Sequence, residues 1–190
     1  MSEPALRTGT AVPLRRDDVD TDQLAPARFV PYYRPEGFTN ILLADWRSDP
    51  GFVLNQPQYQ GASVLVAGRE FGTGSSRESA VWALQSAGFQ VVVAARFGDI
   101  FRGNATTRGL WTAEVDHEVI ERLWEQVEAD PWSAVTVDLT TRTLVCGPVE
   151  SPFRIDEPLR RRLLEPGDRI GETLAHLPEI EAYESRHPAR

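Results

Sequence analysis

Apolar residues along this chain gather into short runs, and the period within each run indicates the element it forms. Val64-Leu65-Val66-Ala67 is an unbroken apolar run of strand length, while Ser79–Ala87 carries Ala80, Ala83, Leu84 and Ala87 at helical spacing. Gly88 follows that helix, where a left-handed residue commonly ends one. Val91-Val92-Val93-Ala94-Ala95 is a β-branched run of the kind buried in a parallel sheet. Between the first strand and the helix stands Gly72-Thr73-Gly74-Ser75-Ser76-Arg77-Glu78. Residues 63–95 therefore read as strand, glycine turn, helix, strand.

The other patterns extend on either side of this unit. Residues 9–14 predict a first strand, which Pro13 confines to a sheet edge or a strand end. From Pro26 to Gln60 the chain is rich in Pro, Tyr, Asn and Gln, with Ile41–Trp46 as its helical patch. Asp116–Ala129 is amphipathic, with Val119, Ile120, Leu123, Trp124 and Val127 on one face. Val135–Leu139 and Thr143–Cys146 predict a hairpin across residues 140–142. A helix after Pro158 uses Leu159, Leu163 and Leu164, and a last one runs from Pro178 to Arg186 through Ile180 and Tyr183. Strands alternating with helices specify an α/β fold with a mixed or parallel sheet, helices packed on it and a C-terminal hairpin-helix extension. The 190 residues suit one domain, with a core at about 9–147 and an extension at about 148–190.

Composition narrows the chemistry. With 20 basic and 28 acidic residues and no basic block, a nucleic-acid surface is disfavoured. All 20 basic residues are arginines, which removes the P-loop lysine, Schiff-base chemistry and any lysine base. A lone cysteine, Cys146, forms no internal disulfide and by itself holds neither an iron–sulfur cluster nor a structural zinc. Its solitude points to a reducing, cytoplasmic setting. The N-terminus lacks the apolar core of a signal peptide, and no run approaches the ~18 apolar residues of a membrane span.

The glycine turn carries the candidate site. A helix start has unpaired N–H groups and the positive end of the helix dipole, so an anion is stabilised there. The alternative is local: Ser75 and Glu78 have the spacing of a capping box, which would only tie down the helix start. Nucleotide motifs fail on residue identity, because the Walker pattern needs lysine and the dinucleotide fingerprint needs a small residue where Arg77 stands. Position 78 is Glu78, not the glycine of a hydrolase elbow. Asp18, Asp20 and Asp22 imitate the opening of a calcium loop without its glycine or distal glutamate, and turn chemistry is the simpler reading. Arg34 is either a substrate or partner contact or a solvated loop arginine. Asn104 and Thr106 follow the strand at 91–95, at the sheet edge where α/β folds place ligands, unless residues 96–110 form a short helix with Ile100 and Phe101 as its core. What remains is an anion site of Ser75, Ser76, Arg77 and helix-start N–H groups, with arginine suited to gripping a carboxylate in a bidentate manner.

The run Gly72–Glu78 resembles the G-x-G-S-S-R-E signature of the aconitase superfamily's swivelling domain. Asn55–Ser63, Phe71–Leu84, Phe97–Asn104, Val19–Asp22, Ala44–Arg47, Phe153–Asp156 and Asp168–Leu174 are collinear with the small subunits of bacterial 3-isopropylmalate dehydratases. The resemblance implies a swivelling β/β/α domain that forms a heterodimer with a large subunit and completes that subunit's active site. This chain would bind no cofactor, and a [4Fe–4S] cluster would sit on the partner. The implied activity is a hydro-lyase step of leucine biosynthesis, converting 2-isopropylmalate to 3-isopropylmalate by dehydration and rehydration. The implied base is Ser75, with Arg77 on a substrate carboxylate. Ser76, Thr21, Asp22 and Arg34 would contact the substrate, and Asn104 and Thr106 would line the site. Two positions depart from the family's common pattern: Thr73 stands where relatives commonly have Cys, and Ser79 where they have His. A methylmalate- or homoaconitate-type substrate, or a carboxylate-binding module without catalysis, are the competing functions.

Overall fold

The computed structural model describes residues 5–32, 41–75, 77–165, 171, 173–174 and 176–187. Two four-stranded sheets dominate it. The first is parallel, with β2 (Ala11–Pro13), β3 (Val64–Val66), β4 (Val91–Ala94) and β5 (Trp111–Glu114) in sequential order. The second is antiparallel, in the order β1 (Leu6–Gly9), β6 (Val135–Asp138), β7 (Thr143–Cys146) and β8 (Val149–Pro152). β3 and β4 are buried on both faces, as their continuous Val/Leu runs require. In the antiparallel sheet β6 and β8 alternate buried with more exposed positions, which leaves one face open to water.

Residues 9–14 do not form one strand. β1 pairs with β6 and β2 with β3, and the chain changes sheets at Thr10, whose carbonyl accepts from the N–H groups of Ser63 and Val64. Gly9 permits that change, because a Cβ there would lie 1.8 Å from Ser63 Oγ. Pro13 ends an edge strand, where its missing N–H costs no ladder bond.

Helices α1 (Thr21–Leu24), α2 (Glu78–Ser86), α3 (Asp99–Thr107), α4 (His117–Ala129), α5 (Glu157–Leu164) and α6 (Leu177–Arg186) complete the chain. α2 and α3 pack against each other, and α4 packs on β2, β3 and β4 and reaches β8 of the second sheet. The buried indole of Trp124 donates from Nε1 to the Val66 carbonyl at 2.9 Å and pins α4 to the end of β3. Ile120, Leu123, Trp124 and Val127 form the buried face of α4, with Val119 partly covered.

Several expectations need correction. Ile41–Trp46 is a series of turns leading into a 3-10 turn at Trp46–Ser48, because Leu43 has φ +53 and interrupts any helix; Ile41, Leu42 and Leu43 are nonetheless buried. Ile100 is 55% exposed, since α3 turns Phe101 and Ala105, four residues apart, to the core. β5 and β8 were not anticipated: Trp-Thr-Ala-Glu and Val-Glu-Ser-Pro lack the β-branched density that marked β3 and β4. α6 buries no residue.

Beyond the strand ends, the rings of Phe71, Phe97 and Phe101 form one cluster, Phe71 meeting the other two edge-on with centroids 6.2 and 5.5 Å away. Phe71 is fully buried. Phe71→Ala is expected to cost about 3–5 kcal/mol, read as a lowered midpoint in equilibrium urea unfolding.

Candidate functional site

Past the carboxyl ends of β2, β3 and β4, three short segments lie side by side. Phe71–Thr73 occupies the middle. Gly72 donates to the Val19 carbonyl at 2.7 Å, and Thr21 N–H donates to the Thr73 carbonyl at 3.0 Å. On the other flank Phe71 N–H donates to the Arg96 carbonyl and Gly98 N–H to the Phe71 carbonyl, each at 2.9 Å. Parallel bridges Asp20–Thr73 and Phe71–Phe97 record the same alignment. This zipper is tight enough to dictate residue type: a Cβ on Gly98 would lie 2.5 Å from the Gly72 carbonyl oxygen, and one on Gly72, at φ +72, would lie 2.3 Å from Phe101 Cγ.

The zipper delivers Ser75 to an exposed position just before α2. Its carbonyl is gripped by the Thr21 hydroxyl at 2.7 Å. Arg77 is the residue before the first helical turn, and its Nη1 donates to Asp22 Oδ1 on α1. The Arg77 side chain is 24% exposed and that of Asp22 53%, so the pair stands at the surface with guanidinium donors left over.

The alternative capping box of Ser75 and Glu78 is not formed. Arg77 is extended, the helix begins only at Glu78, and no described side chain caps its start. The Glu78 carboxylate instead accepts from Arg108 Nε at the end of α3. A helix start of nine residues without a side-chain cap keeps its first-turn donors available to an anion. The capping box lies elsewhere: Asp20 Oδ1 accepts from Gln23 N–H at 2.7 Å, and Gln23 Oε1 accepts from Asp20 N–H at 2.8 Å. The three aspartates of that stretch therefore do not converge: Asp18 occupies a left-handed turn, Asp20 caps α1 and Asp22 pairs with Arg77.

Of the other candidates, Thr21 is 2% exposed and its hydroxyl is engaged by the Ser75 carbonyl, so it holds the loop. Thr106 is 5% exposed and donates to Arg102 of its own helix; Asn104 is half-buried on α3. Ser76 and Arg34 lie outside the described residues. The Asp20–Gln23 box and the Glu78–Arg108 tie escaped the sequence reading; the D-x-x-Q spacing was a legible signal for the first, and nothing local marks the second.

Among the described residues no three His, Cys, Asp or Glu side chains are placed to hold a metal ion. Cys146 is buried in β7, and that burial, with Asp130 nearby, pushes its thiol pKa up. The residues present thus do not fit an iron–sulfur cluster. No helix among the described residues is long and apolar enough to cross a membrane.

Comparison with known proteins adds the context of this geometry. The profile of the aconitase C-terminal domain matches residues 5–118. The 3-isopropylmalate dehydratase small subunit of Micrococcus luteus is 52% identical over 189 residues, spanning 100% of this chain and 94% of that protein. The small subunit of Mycobacterium marinum is 55% identical over 182 residues, covering 96% and 92%. Among solved structures, the 3-isopropylmalate dehydratase of Methanocaldococcus jannaschii superposes with a TM-score of 0.66 at 26% identity, covering 95% of this chain and 98% of that one.

The zipper makes two variants informative. Thr21→Val, which keeps shape but leaves the Ser75 carbonyl unmet, is expected to lower unfolding free energy by about 1–3 kcal/mol, with Thr21→Ser recovering most of it in the same denaturation assay. Gly98→Ala is expected to destabilise by a similar amount, about 1–3 kcal/mol, because backbone must move to admit the methyl group.

Proposed function

The chain belongs to the aconitase C-terminal domain family and, within it, to the small subunits of 3-isopropylmalate dehydratase, and from that membership we propose how its residues serve the reaction. The protein acts with a large subunit in leucine biosynthesis, interconverting 2-isopropylmalate and 3-isopropylmalate by loss and return of water. The observation that carries the residue assignment is the exposed Ser75 at the end of a loop bonded on both flanks, with Arg77 two residues on and oriented by Asp22.

In this reading Ser75 Oγ takes the carbon-bound proton of the substrate and returns it on rehydration. A serine oxygen accepts such a proton only as an alkoxide, so it needs fixed donors around it, and we assign that role to the first-turn N–H groups of α2, which no described side chain caps. Arg77 grips one substrate carboxylate through the donors that Asp22 leaves free. Asp22 keeps the guanidinium from swinging out, and Thr21 keeps the Ser75 main chain in place. Ser76 and Arg34 remain candidates for substrate contact on sequence grounds. Among the described residues no three His, Cys, Asp or Glu side chains could hold a metal, and we assign activation of the departing hydroxyl group, with the iron–sulfur cluster, to the large subunit. A cytoplasmic location follows from this assignment and from the reduced, solitary cysteine.

In the assembled enzyme, Ser75→Ala is expected to leave subunit association intact and to lower kcat by about 10²–10⁴-fold. Arg77→Lys, which loses the planar two-point grip, is expected to raise KM for 2-isopropylmalate at least about tenfold. Both are read in a coupled assay with a panel of 2-hydroxy diacids, which also ranks methylmalate and homoaconitate-type substrates. Full turnover by the Ser75→Ala complex, or activity of the isolated chain, would overturn the assignment.

A further inference from the structure

Among the described residues, the half-buried arginines are Arg7, Arg47, Arg77, Arg102 and Arg160. Four of them have a partner on the guanidinium, although Arg102 Nε is buried without one. Arg7 donates to the carbonyls of Gln90 and Gly109, Arg77 to Asp22, Arg102 to Asp99, with Asp156 also close, and Arg160 to Glu157 and the Leu139 carbonyl. Arg47 differs in that no described carboxylate pairs with its guanidinium; its Nε, like that of Arg102, is sealed from solvent with no hydrogen-bond partner. The carboxylates nearest in sequence are engaged elsewhere, Asp45 by Arg28 and Asp49 by Gly51 N–H. Burial accordingly depresses the Arg47 pKa, with no anion to offset it.

An uncompensated, partly desolvated charge is costly, and folded chains rarely retain one without a use. The backbone that carries it is also held in place. Arg47 N–H donates to the Leu43 carbonyl at 2.9 Å, and Asn55 Nδ2 donates to the Arg47 carbonyl at 2.9 Å. Leu43 N–H in turn donates to Leu24 at the end of α1, the helix that bears Thr21 and Asp22. Trp46 lies under Arg16, 5.1 Å from ring centre to guanidinium carbon, and the Arg16 carbonyl accepts from Gly68 at the end of β3. Arg47 therefore sits at the same sheet edge as the Ser75 loop, on a fixed turn.

We propose that Arg47 is an anchor for the large subunit, accepting a carboxylate side chain from that protein when the two subunits assemble. This rests on the two-subunit reading above. A partner's carboxylate compensates the charge throughout the life of the complex, whereas a substrate carboxylate would do so only while bound. Desolvated arginines at the centre of an interface are frequent binding hot spots, because their geometry is set before the partner arrives.

The test uses opposite signs in two measurements. Arg47→Met keeps the stem and removes the charge. In the isolated chain its melting temperature is expected to equal or exceed that of the unmodified protein. Its Kd for separately purified large subunit, measured by isothermal titration calorimetry, is expected to rise about 30-fold or more, with Arg47→Lys recovering part of the loss. An unchanged Kd with a raised KM would overturn the proposal in favour of a substrate contact. An unchanged Kd with a lowered melting temperature would overturn it in favour of an internal packing role. If the unmodified chain itself failed to bind the large subunit, the two-subunit reading would fall, an outcome separate from either of these.

Discussion

The arrangement of the candidate site depends on hydrogen bonds between backbones that continue a parallel sheet past the end of its strands. Phe71–Thr73 is bonded to Val19–Thr21 on one side and to Arg96–Gly98 on the other, so the loop leading to Ser75 has the rigidity of a central strand. Its glycines serve this closeness directly: Gly98 lets one backbone lie against another, and Gly72 turns beside the Phe101 ring. The aromatic cluster beneath supplies the apolar floor, and the Thr21 hydroxyl donates to the Ser75 carbonyl. A reactive side chain mounted this way owes its position to main-chain geometry, which single surface changes disturb little.

What the sequence made legible follows from how local each cause is. β3, α2 and β4 announce themselves because burial on both faces demands continuous β-branched runs and the helix repeats its alanines at fixed spacing. The alternative capping box at the start of α2 did not form because the S-x-x-E pattern is a local signal, whereas the pairing of residues 72–73 with residues 19–21 is a long-range restraint on the loop before the helix. The same holds for Glu78, whose partner Arg108 is 30 residues away. β5 and β8 draw their strand character from neighbours, not from their own residues. Ser75 and Arg77 stood out as candidates by residue type, whereas the pairing of Arg77 with Asp22 needed the fold.

Charge at this edge is handled in two ways. Arg77 is balanced within the chain, so it can meet a transient ligand without leaving a bare cation when the ligand departs. No described carboxylate balances Arg47, and on the proposed reading the two arginines suit encounters of different duration. On that reading an acidic protein with net charge −8 presents local positive groups to a dicarboxylate and to a second polypeptide.

The change of sheet at Thr10 bears on how the molecule comes to exist. β1 is made long before its partner β6, Val135–Asp138, whereas β2 to β5 are all made by Glu114. The parallel layer can condense while the antiparallel one still lacks its centre, leaving β1 an unsatisfied edge until β6 is made. During that interval the nascent chain is open to mispairing, and the antiparallel sheet closes only when an early strand meets a much later one.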